Sequence, residues 1–111
     1  MNVTVESYGQ AVVLNCKGEL TEDCLDAFKR VVEHQLAEDQ VHDLVLNLEE
    51  VPFLDSAVLE YLLELQEQLL ARMGQVKLVK PDENVVKIIE VTRLDSSFEQ
   101  FEELTNAVRN T

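Results

Sequence analysis

Apolar and polar residues alternate from Val3 to Tyr8, and an apolar run from Ala11 to Cys16 follows Gly9-Gln10. Both stretches are rich in β-formers, which predicts two strands joined as a hairpin through a glycine turn. Lys17-Gly18-Glu19-Leu20 makes a tight exit from the second strand. The period then changes. Ala27, Phe28, Val31, Val32 and Leu36 recur at helical spacing, so a helix with one apolar face is expected from Thr21 to about Ala37. Thr21 suits the N-cap, and Glu22 and Asp23 suit the positive end of the helix dipole. Glu38-Asp39-Gln40 ends the helix.

Leu44 to Leu48 is almost continuously apolar, the pattern of a strand covered on both faces in a parallel sheet. A short loop stiffened by Pro52 leads to a second helix that opens at Asp55-Ser56 and ends near Met73. Leu59, Leu62, Leu63, Gln66, Leu69, Leu70 and Met73 form its expected core stripe, and Gly74 suits the left-handed position that closes a helix. Val76 to Lys80 reads as another strand, stopped by Pro81. Asp82 can cap a short helix carrying Val85, Val86, Ile88, Ile89 and Val91. A loop from Thr92 to Ser97, an extended piece from Phe98 to Phe101 and a helix from about Glu102 to Arg109 complete the chain. The order β-β-α-β-α-β-α-β-α predicts one α/β domain over residues 1–111. Its sheet is mixed and mostly parallel, with packed helices and an antiparallel edge supplied by the first hairpin.

Charge narrows the partners. Nine basic residues against twenty-two acidic ones leave a net charge of −13. Such a surface repels nucleic acid phosphates and anionic membranes and favours a partner with a basic face. No apolar run approaches the roughly 20 residues that span a bilayer. Residues 1–10 lack the basic start and apolar core of a signal peptide, so a cytoplasmic protein is expected, without membrane insertion. Cys16 and Cys24 do not form a secreted disulfide framework and have no ligand-spaced companion, so inert thiols are expected.

Catalytic chemistry finds little to work with. The chain has three glycines, Gly9, Gly18 and Gly74, and no glycine-rich phosphate loop. Neither His34 nor His42 lies near a nucleophile in sequence. Pairs such as Glu49-Glu50, Asp82-Glu83 and Glu102-Glu103 are solvated carboxylates that lack the burial acid–base work requires. No enzymatic activity, cofactor or metal is expected.

The turn at Asp55-Ser56 differs in kind. A strand, a short loop and a helix start there, and free N–H groups at a helix N-terminus make an anion site. With Asp55 as N-cap, the Ser56 hydroxyl takes the first helical position and faces solvent. A phosphate on it would add about −1.5 to −2 charge, which the fold tolerates and a docked partner does not. The alternative is that Ser56 only belongs to the helix cap.

Gly18-Glu19-Leu20, Leu44 to Leu48, Phe53-Leu54-Asp55-Ser56-Ala57, Lys80-Pro81 and Thr92-Arg93-Leu94 occur in the order and spacing of the STAS domain. The chain resembles a stand-alone anti-sigma factor antagonist over almost its whole length. The resemblance implies a small α/β domain that binds an ATP-dependent serine kinase, which is also the anti-sigma factor. It implies phosphorylation on Ser56, release of the partner on modification, and reset by a phosphatase. Glu19, Glu50, Asp55, Ser56, Ala57, Leu59 and Glu60 are the candidate partner-binding residues. The sequence departs from the family pattern at Val58, which replaces a glycine, and at Glu60, which replaces a small residue. Both add bulk where a kinase would approach. Asn47 and Thr21 stand where the family often has Asp, and Arg93 stands where a glycine commonly closes the third helix.

Three readings follow. The first is a regulatory binding module switched at Ser56, meeting a basic partner surface with an association that slows as salt rises. The second is a non-phosphorylated STAS adaptor subunit of a transporter or signalling assembly. The third is ligand sensing at the helix N-terminus.

Overall fold

The computed structural model of the chain describes residues 1–93 and 97–109. In chain order these form β1 (Asn2–Tyr8), β2 (Ala11–Lys17), α1 (Glu22–Leu36), β3 (Asp43–Glu50), α2 (Ser56–Leu70), β4 (Val76–Val79), α3 (Glu83–Val91), β5 (Glu99–Phe101) and α4 (Leu104–Arg109). The predicted order of elements is the observed one. Leu94, the last residue of the Thr92-Arg93-Leu94 motif, and loop positions 95 and 96 lie outside the described residues.

The strands lie in the order β1-β2-β3-β4-β5. β1 pairs antiparallel with β2, and every other neighbouring pair is parallel. Gly9, at φ 60°, makes the two-residue turn of the β1–β2 hairpin. α1, α2 and α3 each link neighbouring parallel strands, all stepping in one direction, so the right-handed crossover rule puts all three on one face. The core agrees. Val12, Leu14, Leu44, Leu46 and Leu78 on that face pack with Phe28, Val32, Leu62 and Ile89 of the helices. The opposite face carries a smaller cluster, Ala11, Val13, Val45 and Val79, which Ala107 of α4 covers.

Several expected core positions are surface. Ala27 is exposed; Cys24 and Leu25 turn toward the core beside Phe28. On α2 the buried stripe is Val58, Leu59, Tyr61, Leu62, Leu65 and Leu69. Leu70 is 59% exposed because Leu69 takes the core-facing place in the last turn, and Met73 is 92% exposed because the helix stops at Leu70 with Ala71 as its C-cap. The left-handed residue after it is Met73, at φ 64°, and not Gly74. Gly74 is required for a different reason: a Cβ there would lie 1.7 Å from the His42 carbonyl oxygen. Val91, at the end of α3, is 82% exposed. Arg93 takes φ 62°, the backbone conformation a glycine adopts without cost.

Lys77 of β4 is fully buried. Its ammonium pairs with Asp43 Oδ2 at 3.3 Å, donates to the Ala107 carbonyl at 2.9 Å and lies 5.7 Å from the Phe101 ring centre. One side chain thus ties the start of β3, β5 and α4 together.

Candidate functional site

The loop between β3 and α2 runs beside the loop between β2 and α1 and extends the parallel pairing past the strand ends. Gly18 N–H donates to the Glu50 carbonyl at 3.0 Å, and Leu20 N–H donates to the Phe53 carbonyl at 3.0 Å. Asp55 N–H donates back to the Leu20 carbonyl at 3.1 Å, and Leu20 and Leu54 form an isolated bridge. Leu20, Val51 and Leu54 are fully buried beneath, which anchors both loops. The N-termini of α1 and α2 therefore emerge side by side.

Asp55 joins them. It is the N-cap of α2, where its Oδ1 accepts from Val58 N–H at 3.1 Å. Its Oδ2 accepts from Glu22 N–H, in the first turn of α1, at 2.8 Å. One carboxylate thus satisfies orphan donors of two helices and faces both dipoles. The expected anion site is consequently filled from within the chain. On α2, the first-turn N–H groups that Asp55 does not take are those of Ser56 and Ala57.

Ser56 occupies the first position of α2 and is exposed. Around it, Glu19, Glu50 and Glu60 are exposed, and Asp55 and Ala57 are half-buried. Leu59 is different. It is 3% exposed and packs into the core, so it supports the turn from below and offers no surface to a partner. Val58 is also fully buried, and its bulk faces the core rather than an approaching protein. Of the two departures beside Ser56, only Glu60 alters the surface. Lys17 pairs with Glu50 at 3.8 Å and Lys80 with Glu49 at 3.7 Å, which offsets part of the local negative charge.

Two features were missed from sequence. Phe53 is 42% exposed, an aromatic ring two residues before the N-cap, and its immediate Pro52-Phe53 context in a rigid loop was the available signal. The reach of Asp55 to Glu22 spans 33 positions and left no local pattern. Asn47 joins a polar ladder across three strands: its amide donates to Asn15 Oδ1 at 2.9 Å, and the Asn15 amide donates to Glu6 Oε1 at 3.0 Å.

The thiols lie near this end of the sheet. Burial pushes the Cys16 thiol up to about 12, with a smaller contribution from Cys24. Cys24 Sγ accepts from Thr21 N–H at 3.4 Å and so takes part in the start of α1. Among the described residues, no three His, Cys, Asp or Glu side chains are grouped to hold a metal ion, and no helix is long and apolar enough to cross a membrane.

The STAS domain family model matches residues 2–107. The chain belongs to the STAS domain family. This STAS domain superimposes on an anti-sigma factor antagonist from Mycobacterium paratuberculosis with a TM-score of 0.85 and 26% identity, over 98% of this chain and 92% of that one. It matches the unphosphorylated anti-sigma factor antagonist SpoIIAA at TM-score 0.84 and 20% identity, over 98% and 95% of the two chains. The phosphorylated form of SpoIIAA, a Bacillus cell fate determinant, matches at TM-score 0.75. It also matches part of the murine anion transporter Solute Carrier 26 family member A9, at TM-score 0.79 and 19% identity, over 95% of this chain and 18% of that one. No curated protein matches the chain in sequence.

Proposed function

We propose that this STAS domain is an anti-sigma factor antagonist whose hold on a protein partner is set by phosphorylation of Ser56. The observation that carries the reading is an exposed hydroxyl at the first position of α2, directly after a carboxylate that already caps two helices. Modification needs no unfolding, since the hydroxyl is accessible where it stands. In the transfer, Ser56 Oγ bonds to the γ-phosphorus of ATP on a partner kinase as the bond to ADP breaks, and the hydroxyl proton leaves to a base of the kinase. The domain itself is the substrate and binding partner, not the enzyme.

The added charge then stands beside the Asp55 carboxylate and the exposed Glu60. Two effects oppose a docked partner. The partner must desolvate the charge, which costs several kcal/mol when no counter-charge is supplied. The phosphate also repels Asp55, which holds the start of α1. Phe53 is the apolar anchor beside the switch; aromatic side chains, phenylalanine among them, are enriched at the cores of protein interfaces. The neighbour SpoIIAA, solved in phosphorylated and unphosphorylated forms, supports this reading by analogy of fold. We place the protein in the cytoplasm on the same grounds, with a basic-surfaced anti-sigma kinase as partner and a phosphatase as the resetting enzyme.

The transporter match favours a second reading, an adaptor domain with no phosphorylation cycle. One experiment separates them. Partners are captured from cell extract on unmodified protein, on protein enzymatically phosphorylated at Ser56, and on Ser56→Ala. The switch reading expects an ATP-dependent serine kinase on the unmodified and Ser56→Ala forms and its loss from the phosphorylated form. Equal capture by all three forms, or no labelling of Ser56 by the captured kinase, overturns it in favour of the adaptor.

A further inference from the structure

β1 is an edge of the sheet: it pairs with β2 on one side, and six of its seven residues are exposed. Which backbone groups it leaves open follows from the hairpin. Tyr8 and Ala11 flank a two-residue turn, so they are the pair that exchanges both hydrogen bonds. Alternation then directs Asn2, Thr4, Glu6 and Tyr8 toward β2, and turns the N–H and C=O of Val3, Val5 and Ser7 outward. Edge strands are usually protected by lysine, proline, a bulge or brevity. β1 has none of these, and its one charge, Glu6, is tied to Tyr8 and Asn15 of its own chain. It contains no Lys or Pro, and its register with β2 runs without a shift from Asn2–Lys17 to Tyr8–Ala11.

Charge selects the occupant. Residues 1–18 hold one acidic residue, Glu6, and one basic residue, Lys17, so the net charge of −13 is carried entirely by residues 19–111. The hairpin is the neutral end of an acidic molecule. A basic partner is drawn to the acidic remainder, whereas a second copy meets the least repulsion at this edge. Met1, Val5 and Tyr8, at 40%, 39% and 39% exposure, give the edge apolar surface to cover. We infer that β1 pairs antiparallel with β1 of a second copy of this chain, about a twofold axis at Val5.

That axis is the register that suits the side chains. Val5 faces Val5 of the second copy, and Val3 faces Ser7, so the outward backbone groups meet one another. Glu6 falls opposite Thr4, which keeps the two carboxylates out of register; like charges directly opposite destabilise a strand pair. Each Glu6 is also held on its own chain by the Tyr8 hydroxyl and the Asn15 amide. The pairing continues the five-stranded sheet into a ten-stranded one and involves neither Ser56 nor Phe53.

Sedimentation equilibrium of the full chain tests this. The mass should rise with concentration from 12.6 kDa toward twice that value. Added salt should raise the dimer fraction, because it screens the repulsion between two acidic bodies. Val5→Pro should remain at the monomer mass, since the replaced N–H points away from β2 and proline is tolerated at such edge positions. Cross-linking keeps the proposal testable should that variant not fold. Under mild oxidation Val5→Cys should link to itself, mapped by mass spectrometry to position 5, and Ser7→Cys should not. A wild-type chain that stays monomeric at every concentration, a dimer fraction that falls with salt, a folded Val5→Pro that dimerises as wild type does, or linkage through Ser7→Cys in place of Val5→Cys overturns the proposal.

Discussion

Two aspartates mark the two ends of the β3 segment, and each ties two partners together with its two oxygens. Asp43, at the start of β3, accepts from Gln75 N–H at 2.9 Å and pairs with the buried Lys77 ammonium at 3.3 Å. Asp55, just beyond its end, accepts from Val58 and Glu22 N–H groups at 3.1 and 2.8 Å. The geometries are alike and the surroundings are not. Asp43 is 7% exposed and bonded to a full positive charge. Asp55 is half-buried, with helix N–H groups as its partners, and stands next to an exposed serine. A buried charge pair is costly to break from either side, so Asp43 works as a fixed joint. A cap held by N–H groups at a half-open site is weaker, and an anion placed beside it competes for the same field. The same side chain is thus a staple at one end of the sheet and an adjustable catch at the other.

The largest expected effect is at the staple. Asp43→Ala leaves Lys77 buried without a counter-charge and should destabilise the fold by about 3–5 kcal/mol in urea denaturation. Asp55→Ala removes the N-cap of α2 and the bond to the Glu22 N–H and should cost less on average, about 1–4 kcal/mol, at roughly 0.5–2 kcal/mol for each. Hydrogen exchange should show where: the Glu22 amide loses protection while β4 and its buried lysine keep theirs. Equal destabilisation by the two variants would break the distinction between joint and catch.

Tyr61 sharpens it. Its ring packs edge-on to Phe28 at 6.1 Å, joining α2 to α1 below the Asp55 catch, and Lys29 Nζ lies 5.1 Å from its centre. Its hydroxyl is buried and has no hydrogen-bond partner among the described residues. Tyr61→Phe should therefore stabilise the protein by about 1 kcal/mol, since an unsatisfied buried polar atom is removed. Glu22 exchange should not change, which separates packing of α1 on α2 from capping by Asp55. A loss of stability on removing the hydroxyl would mean that it is satisfied.

The smallest effect at neutral pH is an alkaline limb, shared by neither aspartate, that opens only above pH 9. Burial raises the Cys16 thiol from 9.0 to about 12, and burial with Glu33 and Glu64 raises the Tyr61 hydroxyl from 10.0 to about 12. The unfolded chain loses these protons first. Stability is then fully present below pH 9 and declines as pH rises toward 12, by at most about 1.4 kcal/mol per pH unit for each group. Cys16→Ala should flatten the first part of that limb, between pH 9 and 10, in chemical denaturation curves.

The sheet was legible because its signals are local. The continuous apolar run at Leu44–Leu48 marked a strand covered on both faces, and Gly9-Gln10 marked the hairpin. Helix ends were less so. The apolar period of α2 runs on through Leu70 and Met73, but the chain has to turn back toward β4, where Gly74 passes against the His42 carbonyl with no space for a side chain. Close approach of two backbones has no periodic signature, and the same glycine suggested a cap instead. At the site, the N-cap role of Asp55 and the exposure of Ser56 could be read from the turn. The burial of Leu59 and Val58 depended on the rotation of α2 against the sheet, and the bond to Glu22 on tertiary contact. The burial of Lys77 has no local sign in the sequence, because its counter-charge Asp43 lies on the neighbouring strand, 34 positions earlier.

The spatial order of the strands repeats their order in the chain. During synthesis each new strand is therefore laid against one already made, and none must be inserted between two that have paired. Both loops of the candidate site, 17–21 and 50–55, emerge from the ribosome ahead of β4, so the catch between α1 and α2 can close before the sheet is complete. Apart from the hairpin, paired strands stand 22 to 33 positions apart, so each step closes one crossover loop and none closes a longer one. What comes last is β5, three residues long, and α4, which closes over the second face. A stalled or truncated product would thus carry a formed Ser56 turn above an uncovered Val13–Val45–Val79 strip. Its route to loss is aggregation through that strip, with the turn still intact.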